Sequence, residues 1–356
     1  MCAFCRHRII LFITMRTPYF IFKPVVLERK YFEFDNLCKK YFKNYIIAYS
    51  VKTNSYPGVM KSLDRLGSGF DSASIDEMKM TSFSKNKKFF NGPCKTIDEL
   101  KYAIKNNFII NVDSLSEIGK IAEITEGIPF EIGIRVSFKE SKFGFEAIKV
   151  KEAIEYALSR NIKTKGFHFH AGTQLSLQQF EKNVIETAKF LKSIDFPIDY
   201  IDIGGGFPDK FHLHNLGVTL EDYFKTLMEI LKISPKTSIV FEPGRFLVSD
   251  AFDIISKVHV IKKNYDDTYA IIDAGINVLS KISLSKFKFS KLNDKRIERK
   301  QEYILAGPLL FGNDVLGRYT GFLNEGDIMR IENVGAYCYN LAWEISYRKP
   351  KIIIER

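Results

Sequence analysis

No apolar run in the 356 residues is long enough to cross a bilayer, because a spanning helix needs about 20 apolar residues. The run Ile9–Met15 falls far short and no small-residue cleavage site follows it, so neither a membrane anchor nor an export signal is expected. The chain also lacks a Gln/Asn tract, a Pro-rich stretch and a long run of one charge, which excludes disorder over most of its length. Cysteine is sparse and odd in number: Cys2, Cys5, Cys38, Cys94 and Cys338, without the spacing of a disulfide framework. Reduced thiols and a cytoplasmic setting are the expectation. Cys2 and Cys5 form a lone CxxC with no second pair, so no metal site is expected. Residues 1–15 read as a disordered or spurious leader, with Met15 as an alternative start.

What is present is a soluble globular composition, with 46% apolar and 27% charged residues. That balance and length allow a large barrel, or two domains. The formal charge of +11 is spread over scattered lysines, with only 85–88 (KNKK) and 295–300 (KRIERK) locally basic. No nucleic-acid motif accompanies them, so a solvated surface is expected, with neither nucleic acid nor membrane as partner.

From Tyr45 onward, short apolar or β-branched runs alternate with segments of helical periodicity, the pattern of repeated βα units. The runs are YIIAYSV (45–51), GFDSAS (69–74), FFNG (89–92), IINV (109–112), FEIGIRV (130–136), KGFHFHA (165–171), YIDIGGG (200–206) and SIVFEPG (238–244). Helices are predicted between them at 57–66, 96–106, 114–126, 147–160, 176–193 and 219–232. Eight such units predict an α/β fold with a (β/α)8 TIM-like barrel over 29–249, its chemistry at the C-terminal strand ends. After Arg245 the pattern turns strand-like (FDIISKVHVIKK, TYAIIDAG, EYILAGP, DIMRIEN, PKIIIE). With the strand candidate TPYFIFKP (17–24), residues 1–28 and 250–356 are expected to form a discontinuous all-β domain.

The strand ends carry the chemistry. Lys52 closes the first strand, where partial desolvation favours a neutral amine able to form an imine with an aldehyde. His168 and His170 alternate in GFHFHAGTQ and are expected on one strand face, either of them equally readable as a packed core histidine. Gly204, Gly205 and Gly206 in DIGGGFP offer bare backbone N–H groups to a phosphate, or simply a tight turn. Glu242 and Arg245 in FEPGRF end the eighth strand; a carboxylate there can keep a pyridine nitrogen protonated, or can belong to a buried ion pair.

Together AYSVKTN, GFDSAS, HFHAGTQ, DIGGGFP, EPGRF, DAGIN (273–277) and GAY (335–337), in this order, resemble the fold-type III pyridoxal-phosphate-dependent decarboxylases, the diaminopimelate, ornithine and arginine decarboxylase family. The resemblance runs from about Thr17 to Pro350. It implies the two-domain architecture shared with alanine racemase, a pyridoxal 5'-phosphate cofactor and amino-acid decarboxylation. Lys52 would carry the cofactor as a Schiff base, His170 would stack on its face and Glu242 would pair with its ring nitrogen. Thr173, Gly204, Gly205, Gly206, Gly244, Arg245 and Tyr337 would surround the phosphate, with Asp71 beside the Schiff base and Arg135 supporting the ring. The resemblance also implies a homodimer with shared active sites, Asp314 reaching the neighbour's substrate.

One segment departs from that pattern. Where the family has GP-x-Cys, an acidic residue and a later Asp, this chain reads GPLLFGND, placing Leu310 at the catalytic cysteine and Phe311 at the carboxylate that grips a distal amine. Lys281 and Ser285 fall where diaminopimelate enzymes carry Arg and Tyr. A buried ammonium without an acidic partner is costly, so the expected substrate is a conjugated or carrier-tethered amino acid, as in siderophore or antibiotic-type relatives. The +11 charge suits an acidic conjugate or carrier. The alternatives are diaminopimelate decarboxylase itself, an inactive cofactor-binding paralogue, and a racemase. Glu242 disfavours the racemase, because those enzymes place an arginine at the ring nitrogen. Cys338 is the remaining thiol near Tyr337, and a packed thiol is the expectation for it.

Overall fold

The computed structural model describes residues 15–170, 172–279, 286–292 and 301–355. The Cys2/Cys5 pair, the apolar run before Met15, Lys281, Ser285 and the basic run at 295–300 lie outside the described residues. The chain divides into two compact units, Leu27–Leu247 and the pair of segments Met1–Val26 and Val248–Arg356.

The first described strand, β1 (Tyr19–Phe22), belongs to the second unit. In the first unit, β2 (Tyr45–Ser50), β3 (Gly69–Ser72), β4 (Lys88–Phe90), β5 (Ile109–Val112) and β6 (Phe130–Ser137) pair in parallel in that order. The short β7 (Phe145–Glu146) pairs with β6, and β8 (Ile162–His168), β9 (Tyr200–Asp202) and β10 (Ser238–Phe241) continue the ring. Pairing of β10 with β2, Ile239 opposite Tyr45, closes an eight-stranded parallel barrel. Its strands are buried almost end to end, as expected where one face packs on helices and the other fills the barrel.

Helices Pro57–Arg65, Ile97–Lys105, Leu115–Thr125, Val150–Leu158, Leu177–Lys192 and Leu220–Leu231 lie within a few residues of the predicted spans. Three start with reciprocal capping boxes, Thr96/Glu99, Ser176/Gln179 and Thr219/Asp222, each cap contributing about 1 kcal/mol. Helix Pro24–Tyr41 was not read from the sequence; it buries Leu27, Tyr31, Phe34 and Cys38 on one stripe. Phe34 meets Phe207, Phe224, Phe241 and Phe246 at ring distances of 5.2, 5.1, 5.6 and 5.8 Å.

The second unit is a mixed sheet. It contains β11 (Phe252–Asn264), β12 (Asp267–Ile272), β13 (Lys288–Lys291), β14 (Gln301–Ala306), β15 (Val315–Gly321), β16 (Ile328–Glu332) and β17 (Lys351–Ile354). β1 pairs antiparallel with β11 and parallel with β17, so the N-terminal strand does join the C-terminal β structure. Asp253 in β11 accepts from Lys23 at 2.8 Å and from Arg330, tying three strand regions together.

Candidate active site

Lys52 follows β2 in a short turn, Val51–Thr53. Its side chain is half exposed, with Nζ 3.7 Å from Asp71 Oδ2. A buried carboxylate, Asp71, thus faces the lysine amine. Asp71 is buried on β3, and accepts from Ser50 Oγ and from Asn91 Nδ2, both at 2.9 Å. Burial, and then the charge of Glu242, push its carboxyl up.

Glu242 stands one residue beyond β10, buried, with His168 Nε2 3.5 Å away. It accepts from Asn91 Nδ2. Asn91 Oδ1 in turn accepts from Asn111 Nδ2 at 2.7 Å, and Asn111 Oδ1 accepts from Tyr200 OH at 2.6 Å. Burial pushes the Tyr200 phenol well up, so it remains a donor, and this direction propagates through both amides to Asp71 and Glu242. The chain of amides crosses the barrel interior where Gly133 leaves room. A Cβ there would lie 1.9 Å from Asn111 Oδ1 and 2.1 Å from Tyr200 OH. Sequence reasoning missed Asn91, Asn111 and Tyr200. The available signal was an amide at the end of two otherwise apolar strand runs, FFNG and IINV.

Asp202, the last residue of β9, is also buried, and its Oδ1 accepts from Gly204 N at 2.9 Å. Ligand atoms of His168, Asp202 and Glu242 lie within 4.8 Å of one another. Burial, then the charge of Glu242, pushes the Asp202 carboxyl well up. His168 is pushed down to about 3 by burial and by Arg135, and is neutral.

The strand ends at His168, so alternation does not carry on to His170. His168 turns into the barrel while His170 is exposed at its mouth, its Nδ1 2.7 Å from where a Cβ on Gly204 would stand. Gly206 has φ +89°, and a Cβ there would lie 2.0 Å from Gly172 O. A Cβ on Gly205 would lie 2.4 Å from Glu242 O, and one on Gly244 2.1 Å from Thr53 Oγ1. This turn can only be bare backbone. Thr173 is exposed in the adjoining loop and Arg245 is buried at the start of the short helix Arg245–Val248. Thr53 Oγ1 and both ring nitrogens of His168 are buried without a hydrogen-bond partner among the described residues. Exposed amine, buried acid and side-chain-free cradle fit pyridoxal phosphate. The same His, Asp and Glu have metal-ligand donor types, but the Asn91 hydrogen bond already meets Glu242.

Arg135 approaches this network from β6, with Nη1 3.4 Å from Asn91 O and 3.9 Å from Asp113 Oδ2, and its guanidinium over the Phe143 ring at 4.3 Å. Behind it lies the fully buried Lys95, 3.0 Å from Glu117 and 3.8 Å from Asp113.

In the β unit, Tyr337 is half-buried with φ +68° and precedes the helix Cys338–Leu341, whose Cys338 is buried as expected of a packed thiol. Asp314 is buried, its two oxygens accepting from Ile276 N at 2.7 Å and Leu309 N at 2.8 Å. One of these donors comes from the segment at Ile276 and the other from its own loop, so the carboxylate ties the two segments together. Leu310 is 99% exposed, and Phe311, 43% exposed, meets the Trp343 ring edge-on at 6.0 Å.

Comparison with known proteins supports this reading. A diaminopimelate decarboxylase of Haemophilus influenzae is 29% identical over 90% of this chain and 83% of its own length. One from Methanocaldococcus jannaschii is 29% identical over 88% and 79%. The crystal structure of diaminopimelate decarboxylase from Helicobacter pylori complexed with L-lysine superposes with a TM-score of 0.88 at 25% identity, covering 98% of this chain and 94% of that one. The sequence family described as pyridoxal-dependent decarboxylase, pyridoxal binding domain, matches residues 29–249, and the chain belongs to that family of pyridoxal-phosphate-dependent carboxy-lyases.

Proposed function

We propose that this decarboxylase acts on an amino acid whose distal end is conjugated or tethered to a carrier, with Lys52 as the cofactor lysine. The carrying observation is the sequence GPLLFGND: Leu310 and Phe311 replace the thiol and the acid that the family pattern places there. An exposed leucine and an aromatic ring give a free ammonium nothing to pair with, while they suit an uncharged distal group.

When bound, pyridoxal phosphate supplies an aldehyde for amines and a ring that accepts the electrons left by departing CO2. The chain's own residues set the conditions. Asp71 Oδ2 lies 3.7 Å from Lys52 Nζ and pairs with the amine. Glu242 holds a proton at the ring nitrogen, its carboxylate aimed by the Asn91 amide. His170 covers a ring face, and Gly204 to Gly206, Gly244, Thr173 and Arg245 take the phosphate. Arg135 screens the far side of the amide chain. The arrangement rests on the resemblance for its roles and on these contacts for its support. A homodimer in the cytoplasm is part of the same reading.

The relatives' name favours a second reading, meso-diaminopimelate as substrate. A panel of free and conjugated amino acids scored for CO2 release separates the two, with Lys52→Ala as control. Conjugated substrates are expected to lead. Turnover of meso-diaminopimelate at an ordinary enzymatic rate, about 1 s⁻¹ or more, would sink the conjugate reading. No CO2 from any member would favour an inactive paralogue.

A further inference from the structure

Beside the site a second feature of the barrel unit stands open: a cavity of about 560 Å³ walled on one side by His170 and Arg135. Its volume falls within the range of about 300 to 1,000 Å³ usual for small-molecule pockets. The floor is apolar, made by Phe138, Phe169, Phe180 and Leu227. Phe138 lies flat on Phe169, rings 5.7 Å apart and 4° from parallel, and is still 36% exposed. The helix Leu177–Lys192 forms one bank, presenting Gln179 and Asn183 one turn apart.

The charges around this cavity disfavour a free ammonium: Arg135, Lys139 and Lys182 line it against one carboxylate, Glu186. Its aromatic and aliphatic floor favours an acyl or aromatic group, which would bury apolar surface there at about 25 cal/mol per Å². We infer that this cavity is a subsite for the apolar, amide-linked distal group of an N-conjugated amino acid whose α-carbon is handled at Lys52. The inference deepens the conjugate reading above and rests on it. Every residue that lines the cavity belongs to Leu27–Leu247.

The test compares L-lysine with Nε-benzoyl-L-lysine on the holoenzyme, with meso-diaminopimelate alongside. kcat/KM is expected to be at least tenfold higher for the benzoyl compound. Asn183→Trp, which fills the cavity from a part-exposed helix position, should lower the benzoyl-to-free ratio at least tenfold, as should Gln179→Trp from a more exposed one. A direct readout uses N-benzoylcadaverine, which has no carboxylate to lose. Calorimetric binding to cofactor-free protein should weaken at least tenfold in either variant, their folding checked by thermal unfolding. If wild type prefers the benzoyl substrate and both folded variants keep that ratio and that binding, the cavity assignment is wrong while the conjugate reading stands. If wild type prefers a free amino acid, the conjugate reading fails and the subsite with it.

Discussion

The side-chain amide of Asn91 donates to the carboxylate of Glu242, 151 positions further along the chain. The same nitrogen serves Asp71 at 2.9 Å, so one amide holds two acids apart and sets both. Replacing it with leucine leaves Asp71, Glu242 and Asn111 each short of a buried partner. Since an unsatisfied buried group costs about 1–3 kcal/mol, Asn91→Leu is expected to lose at least ~2 kcal/mol in urea unfolding. Asn91→Asp adds a third acid and is expected to weaken pyridoxal phosphate affinity at least tenfold by absorbance titration. Cofactor affinity unchanged in both variants would show that the amide does not set Glu242.

His168 makes stability depend on acid. Its ring is held neutral with its pKa at about 3, against about 6.5 in an unfolded chain. Between those values the unfolded chain binds the extra proton. The contribution is therefore complete above pH ~6.5 and declines as pH falls towards 3. Asp71 and Asp202, both raised, act the opposite way: their neutral forms favour the fold at low pH, and that contribution fades as pH rises through their folded values. Comparing wild type with His168→Gln isolates the histidine. From pH 6.5 to 4 the cofactor-free wild type should lose about 3 kcal/mol more than the variant in urea unfolding. Parallel curves would refute the neutral-ring assignment.

These two networks mark where sequence reading stopped. The barrel was legible because apolar runs and helical stripes alternate eight times, and IINV coincides with β5 as read. Strand ends were overrun where polar motifs continued the apolar run. YIDIGGG was read to 206, but β9 stops at Asp202 because Gly204 (φ +69°) and Gly206 (φ +89°) leave the β region. The run KGFHFHA predicts a strand to 171 with His170 on the face of His168, but the alternation ends with the strand at His168. Helix Pro24–Tyr41 announced itself by Pro24 in its first turn and by Leu27, Tyr31, Phe34 and Cys38, but it lay before the first βα unit. Asn91, Asn111 and Tyr200 belong to no motif. Only the closed ring of strands brings positions 20 and 89 residues apart into hydrogen bonding.

Lys95 presents a buried charge with a structural task. Its ammonium sits between Glu117 at 3.0 Å and Asp113 at 3.8 Å, over the Phe90 ring at 5.4 Å. Asp113 also accepts from Gly144 N at 3.0 Å and lies 3.9 Å from Arg135, so the ammonium anchors the far end of the Arg135 contacts. Removing one partner of a buried pair costs about 3–5 kcal/mol, because the other charge is stranded. Lys95→Met is expected to fall in that range by urea unfolding at pH 7. The double variant Lys95→Met, Glu117→Gln should recover part of the loss, since it removes the stranded acid. Simple additivity of the two single losses would show that they do not form a pair.

Asp314 tests whether a family position has kept its task. Its two oxygens accept from Ile276 N and Leu309 N, and Gly307 N donates to its backbone carbonyl at 2.8 Å, so the residue closes the loop that displays Leu310 and Phe311. An asparagine there keeps one acceptor and turns its amide against a backbone N–H. Asp314→Asn is therefore expected to cost about 1–3 kcal/mol in stability, lowering the thermal midpoint of the cofactor-free protein. A carboxylate that gripped a substrate ammonium would behave differently. Its loss would raise KM for free diamino acids and leave the thermal midpoint in place. Measuring both in one preparation decides between the roles, because a loop clamp moves the midpoint even when no substrate is present.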